Sequence, residues 1–164
     1  VTMYQIGDAV VHPTRGAGIV VDIVERSMGN RVVPYYKIEL LSKTSTRLMI
    51  PTERAGELGL RPAISEEDLT RVWRILTSKP EKLPTHSRKR YNYLKEKIEQ
   101  LDISQIAEVI RDVLWMQSEE GGLKTRDRSI YQEAIKFLAG EIAAVKNISL
   151  TEAENEIKRR VLEP

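Results

Sequence analysis

The feature that most limits what this chain can fold into is a change of periodicity near residue 61. Up to Arg61 the apolar residues fall in short, β-branched runs: Ala9-Val10-Val11, Gly18 to Val24, Val32 to Leu41 and Leu48-Met49-Ile50. Gly7-Asp8, Pro13-Thr14-Arg15-Gly16 and Met28-Gly29-Asn30 interrupt them with turn chemistry. A meander of about four or five short strands has edges to hide, and closing into a small Tudor-like or SH3-like β-barrel hides them.

After Pro62 the apolar residues recur three and four apart, and the runs open on residues that cap helices. Ser65-Glu66-Glu67-Asp68 starts a helix with Leu69, Val72, Trp73 and Leu76 on one face, ending before Pro80. A second helix is expected from about Ser87 to Leu101. Asp102 or Ser104 caps a third, which buries Ile106, Val109, Ile110, Val113 and Leu114 and stops at Gly121-Gly122. Thr125 opens a fourth, with Ile130, Ala134, Phe137, Leu138 and Ile142 at core spacing, and Ser149-Leu150-Thr151-Glu152 is a capping box for a last helix to Leu162. The expected architecture is thus β followed by α: a small barrel over 1–61 and a compact bundle of about five helices over 62–164.

The chain has 164 residues, 41% of them hydrophobic and 30% charged, which suffices for one ordinary domain or two small ones. No apolar run approaches the ~18 residues of a membrane span, and the start resembles no secretion leader, so a cytoplasmic protein is expected. The absence of cysteine excludes disulfides, thiolate nucleophiles and cysteine-based zinc sites.

Catalytic apparatus is hard to find. Gly16-Ala17-Gly18 lacks a third glycine and enters a strand, so it reads as a turn rather than a nucleotide-binding loop. There is no Walker-type loop and no nucleophile elbow. Glu66-Glu67 and Glu119-Glu120 read as exposed helix ends, and His12 and His86 as turn histidines without ligand-spaced partners. An enzyme is the least expected class, with no metal and no cofactor.

The charge is distributed more informatively than its net value of +2 suggests. Lys79, Lys82, Arg88, Lys89, Arg90, Lys95 and Lys97 face only Glu81 and Glu96 between residues 79 and 97, whereas the chain beyond Asp102 is acidic. Within that run, Thr85-His86-Ser87-Arg88-Lys89-Arg90-Tyr91-Asn92-Tyr93 places three consecutive cations in the first turn of a helix. Helix N-termini favour anions, so such a turn is unfavourable unless an external anion such as phosphate compensates. Arg88 and Lys89 are the candidate phosphate contacts. Arg90 points elsewhere on the helix, toward phosphate or toward a carboxylate on a neighbouring helix. Arg47 and Met49 lie near the last strand of the barrel, which is either an ordinary closing strand or an edge open to strand addition. Trp73 and Trp115 fall on apolar helix faces and read as core.

Several stretches in order resemble one family: Tyr4-Gln5-Ile6-Gly7-Asp8-Ala9-Val10-Val11-His12-Pro13, Gly16-Ala17-Gly18, Tyr35-Tyr36-Lys37-Ile38, Met49-Ile50-Pro51, Gly59-Leu60-Arg61, Ile64 to Asp68, the Arg-Lys-Arg-Tyr segment, Ile106 to Asp112 and Gly121-Gly122-Leu123. Together they resemble the CarD/CdnL family of bacterial transcription regulators, whose N-terminal domain is shared with the transcription-repair coupling factor. The resemblance implies a Tudor-like barrel followed by a helical bundle. It also implies binding to the RNA polymerase β subunit by strand addition, and contact with promoter DNA at the upstream edge of the bubble. Carried over by position, the polymerase contact falls on Arg26, after the second strand, and on Arg47, Leu48, Met49, Ile50 and Pro51. The DNA contact falls on Arg88, Lys89 and Arg90.

One departure matters. Many members place a tryptophan wedge just before the basic run, where this chain has Ser87, or His86 if one residue is skipped. Neither supplies a large apolar wedge, although a His86 ring can stack. The expected role is therefore a monomeric, polymerase-bound regulator with sequence-nonspecific DNA contact. The chief alternative is a polymerase-docking adaptor whose helical half binds another protein. An RNA- or ribosome-binding barrel is a third reading, mildly disfavoured because the chain before Pro62 carries only eight basic against six acidic residues.

Overall fold

A computed structural model describes residues 3–43 and 45–163. They form a five-stranded antiparallel sheet followed by five helices, and the contacts divide the chain into two units. One takes the chain up to Ser65 together with Gly140–Leu150; the other takes Glu66–Ala139 and the chain from Thr151.

In the first unit the strands are β1 (Ala9–His12), β2 (Gly16–Met28), β3 (Arg31–Leu40), β4 (Arg47–Pro51) and β5 (Arg61–Pro62), in the order β4-β3-β2-β1-β5. Both ends of the sheet are thus short strands, a common way of limiting an exposed edge. The core is Tyr4, Val10, Val20, Tyr36, Ile38, Ile50, Ala55 and Leu60. Tyr4 and Tyr36 meet edge to face at 5.5 Å, the Tyr36 hydroxyl accepts from the Tyr4 amide at 3.0 Å, and the Tyr4 hydroxyl donates to the Leu60 carbonyl at 3.3 Å. Both phenols thereby bury their rings with their polar tips satisfied. Gly18 is required by space: a Cβ there would come within 2.7 Å of the Glu39 carbonyl oxygen. The glycine pair at 16 and 18 is therefore a turn plus a close backbone approach.

The second strand is longer than the apolar pattern predicts. Periodicity marks Gly18 to Val24, but β2 continues through Glu25, Arg26 and Ser27 to Met28, paired with Arg31–Pro34 of β3 around Gly29, whose φ is +65°. These outer pairs hold by backbone hydrogen bonds and mix polar with apolar side chains, Met28 and Val32 both exposed, so no alternation of buried and exposed residues marks them in the sequence. One segment that the helical period assigns to the bundle, Gly140–Leu150, groups with the sheet instead. Glu141, 1% exposed, accepts both arms of the Arg61 guanidinium at 2.9 and 3.0 Å and the Ile64 amide at 3.1 Å.

The helices are α1 (Glu66–Thr77), α2 (Ser87–Glu99), α3 (Ile103–Glu120), α4 (Thr125–Lys146) and α5 (Leu150–Leu162). Of the two candidate caps for α3 the structure selects Asp102, whose carboxylate accepts from the Ser104 and Gln105 amides at 2.8 and 3.2 Å. Gly121, with φ at +78°, ends that helix in the left-handed conformation. Val72, Leu76, Leu94, Ile106, Ile110, Ile130, Leu138 and Ile157 are fully enclosed. The tryptophans depart from expectation. Trp73 is only partly covered and lies 4.2 Å under the Arg160 guanidinium, and Trp115 remains 39% exposed. Both follow positions of the apolar stripe but point off its edge, a difference of helical angle that spacing alone does not resolve. Among the described residues no helix is long and apolar enough to cross a membrane, and no His, Cys, Asp or Glu cluster is arranged to hold a metal.

Candidate functional sites: an open sheet edge and a basic helix start

Strand β4 pairs only with β3, so its other side is an edge. The direction of its backbone groups follows from the ladder. Leu40 of β3 donates to the Thr46 carbonyl on the β4 side, while Leu41 donates to Ala17 on the β2 side. In an antiparallel ladder alternate residues face alternate neighbours. Tyr36 and Ile38 therefore turn toward β4 and meet their register partners Ile50 and Leu48. The amides of Arg47 and Met49, and the carbonyls of Arg47, Met49 and Pro51, turn the other way, toward the open edge.

The side chains follow a matching division. Ile50 is 5% exposed and Leu48 packs against the barrel core, whereas Arg47 is exposed and pairs with Glu39 at 2.9 Å. Leu48 and Ile50, counted with the contact residues by the resemblance, turn inward. Their side chains fill the core and their backbone groups bind β3, so they anchor the strand while Arg47, Met49 and Pro51 face outward. Arg26 is corrected in position. It lies within β2, opposite Val33 and beyond the last β3–β4 pair, Tyr35 with Pro51, and is exposed on the hairpin arm rather than gathered at the β4 edge.

The second constellation is at the start of α2. His86 is the cap: its Nδ1 accepts from the Lys89 amide at 3.4 Å. Ser87, Arg88 and Lys89 are exposed, but Arg90 is 5% exposed and takes the carboxylate partner that its angle on the helix allowed. Its Nε and Nη2 donate to the two oxygens of Asp127 at 2.8 and 2.9 Å, and its Nη1 donates to the carbonyls of Pro84 and Thr85 at 3.1 and 3.2 Å. The hydrogen bond to Asp127 raises the guanidinium pKa against the opposing effect of burial, so Arg90 is a fixed internal cation. This geometry weighs against its inclusion among the phosphate contacts, because four of its five N–H donors are already used inside the protein.

The other cations of the run are sorted by their partners. Lys95 pairs with Glu133 at 3.3 Å and Lys97 with Glu108 at 2.7 Å, while Arg88 and Lys89 have no carboxylate partner among the described residues. Because Arg90 holds Asp127, the starts of α2 and α4 are drawn together. Arg88, Tyr91 and Asn92 then share an open groove of about 500 Å3 with Thr125, Arg126 and Ser129. The Arg126 guanidinium lies 5.7 Å over the Tyr91 ring and also lacks a carboxylate partner among the described residues. Sequence reading missed this second half: Arg126 is a cation in the first turn of α4, but Asp127 beside it supplies the acid that such a turn favours, so the conflict seen in α2 is muted. Two cations, three hydroxyls and two helix starts around one groove, with Lys89 exposed nearby on α2, can hold backbone phosphate without reading bases.

Two family models match this chain: the CarD-like/TRCF RID domain over residues 4–64 and the CarD C-terminal domain over residues 71–158. The chain is also 30% identical over 156 residues to YdeB of Bacillus subtilis (strain 168), whose name proposes a transcription factor, with 95% of this chain and 98% of that protein covered.

Proposed function

The chain belongs to the CarD-like family of transcription regulators, and from that premise we propose that it docks on the β subunit of RNA polymerase through β4 and touches promoter DNA through the starts of α2 and α4. Docking is assigned to residues 1–61 and DNA contact to residues 62–164. The protein works as a monomer in the cytoplasm, as a regulator rather than an enzyme. The observation that carries the reading is the division along β4: the residues whose amides and carbonyls face the open edge, Arg47 and Met49, keep their side chains off the barrel core, Arg47 exposed and Met49 partly exposed. An added strand gains main-chain hydrogen bonds from one set of atoms and selectivity from the other.

Arg88, Lys89 and Arg126 then meet phosphate near the upstream edge of the melted bubble and modulate the stability of the open complex. Ser87 gives this protein no wedge between base steps, so its effect on the bubble rests on phosphate contact and is weaker than a tryptophan would provide. The test is binding of the unmodified chain and of an Arg47→Glu/Met49→Glu variant to a purified β-subunit fragment. Binding lost in the variant supports the docking strand; no binding by the unmodified chain sinks the reading. A second reading, an adaptor whose helical half holds another protein, is favoured by the missing wedge together with exposed Trp115.

A further inference from the structure

Trp115 is the largest side chain that the helical unit leaves in water, and its surroundings are specific. It lies on α3 beside Met116 and faces Leu83 and Pro84 of the loop before α2 across a small notch of about 90 Å3. Glu81, Glu119 and Glu120 line that notch, and none of the three makes an ion pair among the described residues. Lys82 is the one free cation in the lining: Arg90 is held by Asp127, and Asp112 is held by Arg111 at 2.9 Å. The loop wall is fixed, since Asp112 also accepts the Glu81 amide at 2.9 Å and Arg111 donates to Ser78 at 2.8 Å.

We propose that this notch receives an arginine or lysine side chain presented by an apolar segment of a partner protein, with the indole of Trp115 as the platform and Glu81, Glu119 and Glu120 as counter-charges. The chemistry fits in three respects. A cation over an indole gains from the ring quadrupole, more so as water is displaced. The volume suits the end of one side chain rather than a cofactor-sized ligand. An exposed tryptophan rimmed by polar groups is the usual anchor of a protein contact. Unpaired carboxylates around the indole repel nucleic acid, which separates this surface from the cationic groove of Arg88 and Arg126. The inference gives chemical form to the adaptor reading and rests on it only in supposing a protein partner for the helical half.

The test follows the indole N–H and backbone amide resonances of the full chain by nitrogen-edited NMR, with Trp115→Phe identifying the signal. The probes are a heptapeptide carrying two arginines among leucines, the same peptide with citrulline for arginine, and a forked DNA duplex. The expected result is a saturable shift of the Trp115, Glu119 and Glu120 signals with the arginine peptide. Binding should be weaker by roughly tenfold or more with citrulline, or in a Glu81→Gln/Glu119→Gln/Glu120→Gln variant. Those substitutions are at exposed positions, and an unchanged amide spectrum elsewhere shows that the fold persists. An Arg88→Gln/Lys89→Gln variant should bind the peptide unchanged while losing DNA, so failure of the notch and failure of the DNA reading stay distinct. The proposal is overturned if no saturable shift occurs, if citrulline binds equally, if the Trp115 signal responds to DNA instead, or if it moves with protein concentration alone, as it would for a second copy.

Discussion

Arg90 and Asp127 form a buried two-pronged ion pair, with contacts of 2.8 and 2.9 Å and side chains 6% and 4% exposed. Removing one partner strands the other charge in a dry site. Asp127→Ala should therefore lower unfolding stability by about 3–5 kcal/mol in urea titrations, whereas Arg90→Met with Asp127→Leu should be close to neutral. A cost for Asp127→Ala no larger than that of an exposed pair would show that the site admits water.

The open edge of β4 predicts a position-specific response to proline. Proline at an edge residue whose amide faces outward removes no ladder bond. Met49→Pro should leave stability nearly unchanged yet remove one donor from the proposed docking edge. A stranded acceptor in the partner costs about 1–3 kcal/mol, so β-fragment affinity should fall by roughly five- to 150-fold. Leu48→Pro should unfold the barrel, because that amide binds β3. Equal loss of stability in both variants would mean that the assigned backbone directions are wrong.

The basic groove predicts a salt signature rather than a sequence preference. Each of Arg88→Gln, Lys89→Gln and Arg126→Gln should reduce the slope of log affinity against log salt by about 0.9 on duplex DNA, measured by anisotropy. The slope should be similar for unrelated sequences. An Arg126→Gln variant that kept the full slope would confine the interface to α2.

His12 predicts a stability loss in mild acid. Its Nδ1 accepts from the Thr14 and Arg15 amides at 3.2 and 3.1 Å, a role open only to a bare nitrogen. Burial, and then the neighbouring Arg15 charge, lower the imidazole pKa from its ordinary 6.5. Folding thus favours the neutral ring, and the unfolded chain takes up the proton first. The contribution is present above about pH 6.5 and is lost as pH falls through the lower folded-state value. Thermal melts between pH 7.5 and 5 should show a drop that His12→Asn removes. An identical drop in that variant would place the acid sensitivity elsewhere.

The composition of the site was partly legible beforehand because cations in a helix's first turn conflict with local electrostatics, a conflict visible in any sequence. Arg88 and Lys89 were singled out that way, and the structure leaves both exposed. Arg126 was missed because Asp127 mutes the same conflict in the first turn of α4 and because its place depends on α4 beginning beside α2, which a contact 37 residues away from Arg90 brings about. Arg90 itself could be narrowed to two partners by helical angle, and only the position of Asp127 decided between them.

What the sequence determined by itself is whatever rests on near neighbours. Alternating and helical periods divided the chain into strands and helices, glycines and Asp102 marked turns and ends, and the order of short motifs identified the family. Tertiary structure decided everything that depends on which surfaces meet. It set which side of β4 is open, carried the buried Glu141 to Arg61, withdrew Arg90 into a pair with Asp127, and left Trp115 in water. The reason is physical. Secondary structure is set by interactions a few residues apart, which the sequence displays, whereas burial and ion pairing are set by distances in space between residues that the sequence holds far apart.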